Sequence, residues 1–340
     1  MNRRGVWIGV IAIALCFLGA AVKWHSLLVK AYLHLFPKPL VGEIKAQKAQ
    51  GINGARFTDA KPDEFSFLAV GHLYGTTEGD DRQPDQALLS AIPAINSLQP
   101  DFFVSLGDMV MHQGADDFTI LNQTFLDRFT FPVFNTVGNH DVLDRGYYEA
   151  TYGRTYSTFD YGPARLVFLD TELKECDLNA PQVDMLKGAV QHALRDTNTR
   201  YLFIFMHKTL FFQNDALATL KGRLTSPNGW RCYGQGSFRD LMEDVLLPAS
   251  LQKPVYLFAG DVGAWGNLTP YYETYPDTSL TMIMTGLGDT NQDNMVYVRV
   301  DDTQVNIQVI FLNDLIPRPI DKYTPVYWEL VANGTIPLNP

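Results

Sequence analysis

From residue 65 onward, short apolar runs alternate with longer stretches of helical spacing. Runs at 65–70, 102–106, 133–137, 155–159, 165–169, 201–206 and 255–259 read as strands, and 84–98, 118–129, 181–195 and 238–246 read as helices. This strand–helix–strand alternation predicts an α/β domain. The chain then turns to strand alone, at 281–285, 295–300 and 305–311, and the turn-forming pair Asp301 and Asp302 predicts a hairpin between the last two. From about residue 317 a Pro-rich, Tyr-containing tail is expected to wrap the surface.

The amino-terminal pattern is different. Residues 5–22 carry no charge, follow Arg3 and Arg4, and precede Lys23. Their 18 residues approach the roughly 20 that cross a bilayer and exceed the roughly 7–15 apolar residues of a cleaved signal peptide. Length favours an uncleaved anchor, while Gly19, Ala20 and Ala21 keep a cleavage site open. Cys16 lacks a lipobox because Leu15 occupies the adjacent small-residue position. The positive flank predicts that everything after the segment faces the periplasm or cell exterior, or is secreted if the segment is cleaved. The expected organisation is a signal anchor or signal peptide at 1–23, a stalk at 24–62 marked by Pro37, Pro39 and several lysines, one domain at 63–316, and a tail at 317–340. No internal repeat or interdomain linker interrupts the domain.

Composition narrows the partners. Hydrophobic residues make up 46% of the 340, enough for a sizeable core, and the formal charge is -10. A nucleic-acid-binding surface is not expected, since phosphate backbones call for clustered Lys and Arg. Of three cysteines, Cys16 lies in the apolar segment. Cys176 and Cys232 would meet an oxidising compartment and can pair if their Cα atoms lie about 4.4–6.8 Å apart, a question the sequence leaves open. Asn122, Asn267 and Asn333 stand in glycosylation-like triplets, which is a weak signal.

The chemistry sits at strand ends, where open α/β sheets place their ligand crevice. Gly71 and His72 follow the first strand, Gly107 and Asp108 the second, and Gly138, Asn139, His140 and Asp141 the third; His207 and then Gly260 and Asp261 follow two later ones. A lone Gly-Asp is usually a turn and a lone strand-end His is usually structural. Their shared position instead gathers nitrogen and oxygen donors suited to a divalent cation.

In order and spacing these residues resemble the calcineurin-like metallophosphoesterase superfamily over roughly residues 65–311. Gly138-Asn139-His140-Asp141, about thirty residues after Gly107-Asp108, is the most specific element, and 156–162 leading into 166–171 supports it. The resemblance implies a four-layered α/β/β/α sandwich, two metals bridged by an Asp, and hydrolysis of phosphate mono- or diesters. It implies Asp108 as the bridging carboxylate, Asn139 and His207 as ligands of the second metal, His72 as a ligand of the first, and His140 as the residue that touches the phosphate and protonates the leaving oxygen.

Two departures break that pattern: Val70 stands where the family has Asp, and Gly260-Asp261-Val262-Gly263 replaces Gly-His-x-His. One metal site therefore keeps Asp108, Asn139 and His207 with Asp261 in place of His, while the other keeps only His72 and the shared Asp108. One tight site for Mn, Fe, Zn or Mg is expected rather than two, with Asp261 favouring harder metals. Asp289, Tyr74, His112 and Asp170 are spare candidates, and His25, His34 and His192 are expected to play no part. Two function classes stay open: a phosphoesterase with an atypical site, or a fold that binds a phosphorylated or anionic envelope ligand without cleaving it.

Overall fold

The computed structural model describes residues 49–58, 62–75, 82–174, 176–210, 232, 238–263, 268–288 and 290–337. The expected anchor and most of the expected stalk, with His25 and His34, lie outside them, as does Asp289. Among the described residues, no helix is long and apolar enough to cross a membrane.

Two six-stranded sheets form a mixed α/β sandwich. The first contains β1 (Phe65–Val70), β2 (Phe102–Ser105) and β3 (Val133–Asn135) in parallel, with β10 (Asn294–Val300), β11 (Val305–Phe311) and β12 (Pro317–Pro319) added antiparallel beyond β1. The second has a parallel centre of β5 (Ala164–Phe168), β6 (Tyr201–Met206), β7 (Val255–Ala259) and β9 (Leu280–Met284). Its antiparallel edges are β4 (Ser157–Tyr161) and β8 (Tyr271–Thr274). Side chains alternate across each strand. Phe67, Ala69, Phe102 and Val104 face the second sheet and pack with Phe203, Phe205 and Phe258; the Phe67 ring stacks on Phe102 at 4.9 Å and meets Phe205 edge-on at 5.6 Å.

The intervening positions Leu68, Val70, Phe103 and Val133 face the other way, against three helices: α1 (Gln86–Leu98), α2 (Ala115–Thr124) and α3 (Arg145–Tyr152). In α1 the Asp85 carboxylate accepts from Ala87 N and Leu88 N, and Leu88, Ala91, Ile92 and Ile95 form one buried stripe. On the second sheet, α4 (Ala180–Arg195) packs against β4, β5 and β6, capped by Asn179 and burying Leu186, Ala189, Val190 and Ala193. A further helix, α5, comprises Phe238–Leu241, a π-helical turn Met242–Leu246 and Leu247–Ser250.

Three local expectations are corrected. Residues 49–58, expected as stalk, pack onto the domain: Ile52 N donates to Val133 O (2.7 Å), the Asn53 amide spans Phe131 O and Val133 N, and the Phe57 ring stacks on Tyr161 at 3.9 Å. The apolar Ile52 and Phe57 outweigh the loop-like composition around them. The tail beyond 316 is not a surface wrap alone: it supplies β12 and α6 (Pro325–Ala332), where Thr324 caps the helix and Trp328 is fully buried, its indole N–H donating to Pro270 O (3.1 Å). That helix also corrects the expectation of an all-strand ending. Sequence periodicity missed β8 as well, because Tyr-Tyr-Glu-Thr has no apolar run.

Candidate metal centre

The carboxyl ends of β1, β2 and β3 in one sheet meet those of β6 and β7 in the other. Gly71 and Gly260 make that approach: a Cβ on Gly71 would fall 2.2 Å from Gly260 Cα. The loops then turn sharply, with His72 (φ 53), Gly107 (φ 92) and Asp108 (φ 57) in the left-handed region. Asp141 holds the Asp108 turn in place, accepting from Asp108 N and Gly138 N (both 2.9 Å) and from Met109 N (2.8 Å). The aspartate of Gly138-Asn139-His140-Asp141 thus organises backbone and does not face the donor cluster.

Three candidate ligands converge. One donor atom each from Asp108, His207 and Asp261 lies within 4.8 Å of the others. His207 Nε2 is 3.5 Å from Asp108 Oδ2 and 3.7 Å from Asp261 Oδ1. Ligands about 2.0–2.2 Å from a tetrahedral ion are roughly 3.4 Å apart, so the spacing fits one cation. His207 Nδ1–H donates to Leu106 O (2.7 Å), which fixes the tautomer and leaves Nε2 as a lone-pair donor. Nε2 is fully buried with no hydrogen-bond partner among the described residues. A buried nitrogen of that kind costs stability unless something binds it, and the donor set fits a divalent ion.

His72 meets the same carboxylate oxygen, with Nε2 3.7 Å from Asp108 Oδ2 and a buried Nδ1 that has no partner among the described residues. Asp108 Oδ2 therefore lies within 3.7 Å of both imidazoles. His140 lies beside this group: its backbone N–H donates to Asp108 Oδ1 (3.1 Å), and its ring Nδ1–H donates to Met111 O (2.7 Å). The Tyr74 ring sits between His72 and His140, at 4.3 and 5.1 Å.

A family model described as calcineurin-like phosphoesterase matches residues 72–246, just over half of the chain. The chain belongs to that family. This calcineurin-like phosphoesterase also resembles a solved dimetal phosphatase from Danio rerio, at 12% identity, TM-score 0.52, and coverage of 75% of this chain and 99% of that one. A second solved neighbour is GAP50, the anchor in the inner membrane complex of Plasmodium, at 13% identity, TM-score 0.48, and coverage of 81% and 95%. At these identities the likeness to the phosphatase speaks to fold alone. No curated protein matches. Members of the family generally bind divalent metals, and family membership points to hydrolysis of phosphoesters.

Against that family pattern, the Asn139 side-chain oxygen meets a lysine ammonium. Its Oδ1 accepts from Lys208 Nζ at 2.6 Å, and the same ammonium lies 3.1 Å from Asp261 Oδ2 and 3.9 Å from Glu172 Oε1. Sequence reasoning passed over Lys208 and Glu172. Lys208 follows His207 directly at the end of β6, a polar residue in the same post-strand position as the others, and that was its available signal. Val70 is buried among apolar neighbours of the first sheet. At Gly263 (φ 139) a Cβ would fall 2.0 Å from Leu287 O, so the backbone closes the place where a further histidine would stand.

Charge in this phosphoesterase's centre is strongly shifted. Burial opposes ionisation of Asp261, but Lys208 and His207 overcome it and hold the carboxyl at about 2. Burial likewise opposes the Asp108 carboxylate, and His207 and His72 bring it below the ordinary range. Burial also works against a charged His207, yet Asp108 and Asp261 raise it; at His72 burial wins and lowers it. Burial and the neighbouring Asp108 push Asp141 up to about 6.

The spare candidates fall elsewhere. Asp170 is buried in a salt bridge with Arg145, and it accepts from Glu172 N (2.9 Å), so it shapes the loop that presents Glu172. His112 is exposed. His192 pairs with Asp160 (3.2 Å) on α4. Cys176 and Cys232 form a disulfide with Cα atoms 4.7 Å apart, within the expected range.

Proposed function

We propose that this chain hydrolyses a phosphate mono- or diester with one divalent cation held by Asp108, His207 and Asp261, on the outer side of a membrane. The observation that carries the chemistry is the buried His207 Nε2, unpartnered among the described residues and facing two carboxylates. A cation bound there supplies Lewis acidity toward a phosphoryl oxygen and toward water. His140 keeps its Nδ1–H on Met111 O, so its Nε2 is the nitrogen that takes up a proton and gives it to the leaving oxygen. The Asp108 backbone turn and the His140 N–H on Asp108 Oδ1 hold acid and donor group in fixed relation. Purified protein loaded in turn with Mn, Fe, Zn or Mg should cleave generic mono- or diesters with at least one of them and lose that activity on chelation. Bound metal with no turnover would favour the second reading, a fold that binds an anionic phosphorylated ligand without cleaving it. The missing side-chain donors at Val70 and Gly263 support that alternative.

The location rests on residues 5–22 with the Arg3 and Arg4 flank, and the disulfide supports it because such bonds persist in oxidising compartments. Protease added to spheroplasts should digest the domain. Protection equal to that of a cytosolic marker would refute the placement.

A further inference from the structure

Lys208 is placed as a cation rather than as a spare surface lysine. Its side chain is 11% exposed, and its ammonium faces Asn139 Oδ1, Asp261 Oδ2 and Glu172 Oε1 at 2.6, 3.1 and 3.9 Å. Those oxygens come from three separate segments, after β3, β7 and β5. The lysine's start is pinned too, since its backbone N–H donates to Thr171 Oγ1 (3.2 Å). An ammonium has three protons and no lone pair, so it matches three acceptors and can ligate no metal. Asp261 divides its two oxygens: Oδ1 faces His207 Nε2, and Oδ2 faces Lys208.

We infer that the Lys208 ammonium takes the place of a second divalent cation, so that Asp261 joins one metal site to one built-in monovalent charge. A metal bonded to Asn139 Oδ1 and Asp261 Oδ2 at about 2.0–2.2 Å would need the same space as Nζ. The two like charges would also repel strongly at that separation in a buried site. Asn139 is thereby reassigned from metal ligand to partner of Lys208. The inference rests on the proposed reading of the neighbouring donor cluster as a metal site, and it adds the class of centre: one metal and one ammonium flanking the phosphate, with lysine acting as a point charge on the anion.

Metal stoichiometry tests it without reference to turnover. Metal-free full-length protein and its Lys208→Ala variant are titrated with Mn²⁺ alone, bound metal is counted by elemental analysis, and spin coupling between neighbouring ions is read by electron paramagnetic resonance. Wild type should hold one equivalent, and Lys208→Ala should gain a second, with a coupled-pair signal. Two equivalents in wild type, or equal stoichiometry in both proteins, would overturn the inference. The inference reads the difference between the two proteins, whereas the proposed function reads the metal and activity of wild type. A wild type without metal and a variant with one would thus defeat the function and keep the ammonium's role. Should Lys208→Ala fail to fold, by circular dichroism, Lys208→Ser replaces it, and the wild-type count decides on its own if it is two.

Discussion

At the residue scale, His140 and Asp261 make distinct demands. His140 divides its contacts, with its backbone N–H donating to Asp108 Oδ1 (3.1 Å) and its ring Nδ1–H donating to Met111 O (2.7 Å). His140→Ala should lower turnover by about 10²–10⁴, the range for removing a general acid, while bound metal stays near the wild-type value. Loss of metal in that variant would move the ring into the ligand set. Asp261 is sensitive to acid. Its folded carboxyl, at about 2, lies below the ordinary 3.8, so the stability it contributes is present above pH 3.8 and is lost as pH falls toward 2. In chelated protein the urea midpoint should drop across that window, and Asp261→Asn should show a shallower drop. Parallel curves would assign the slope to other carboxylates. The positions of Asp108, His207 and Asp261 were legible in sequence because each follows an apolar run. The partner of Asn139 was not, because an amide oxygen accepts equally from a metal and from an ammonium, and only three-dimensional placement puts Lys208 Nζ against it.

At the element scale, the centre depends on how closely the two sheets approach at their carboxyl ends. Gly71 N donates to Thr285 O (3.2 Å) and Gly71 O accepts from Leu287 N (3.1 Å), tying the end of β1 to the segment after β9. Gly71→Ala would drive a methyl into the Gly260 backbone, which has no side chain to swing away. Overpacking of this kind costs about 1–3 kcal/mol, and here it also displaces His72 and the Asp261 turn. The denaturation midpoint should fall and metal affinity should fall with it; unchanged affinity in a destabilised variant would show that the sheet junction does not set the donor geometry. Strands of apolar residues were readable because an unbroken apolar run marks them, as in β6, where all six residues are buried. Elements such as α3 and β8 were not, because their tyrosines and charges show little periodicity, and their stability comes from packing on neighbours already in place.

At the scale of the whole molecule, the chain after residue 316 binds the two sheets together. Tyr323 O accepts from Tyr272 N of β8 (3.0 Å), its ring meets Phe311 of β11 at 5.8 Å, and Trp328 reaches Pro270. The same stretch finishes the first sheet with the strand Pro317-Arg318-Pro319. Two of its three residues have no N–H, and Arg318 carries a charge paired with Asp314. A neighbouring strand would therefore find almost no donors along that border. Without this stretch the border would be β11, seven residues beginning Val305-Asn-Ile307 with a complete set of backbone donors. The consequence concerns colloidal behaviour: β12 ends the sheet so that molecules do not extend it by adding to one another. Replacing both Pro317 and Pro319 by Val should leave circular dichroism unchanged while light scattering rises with protein concentration, and a variant that stays monomeric at high concentration would assign solubility to the molecule's net charge instead.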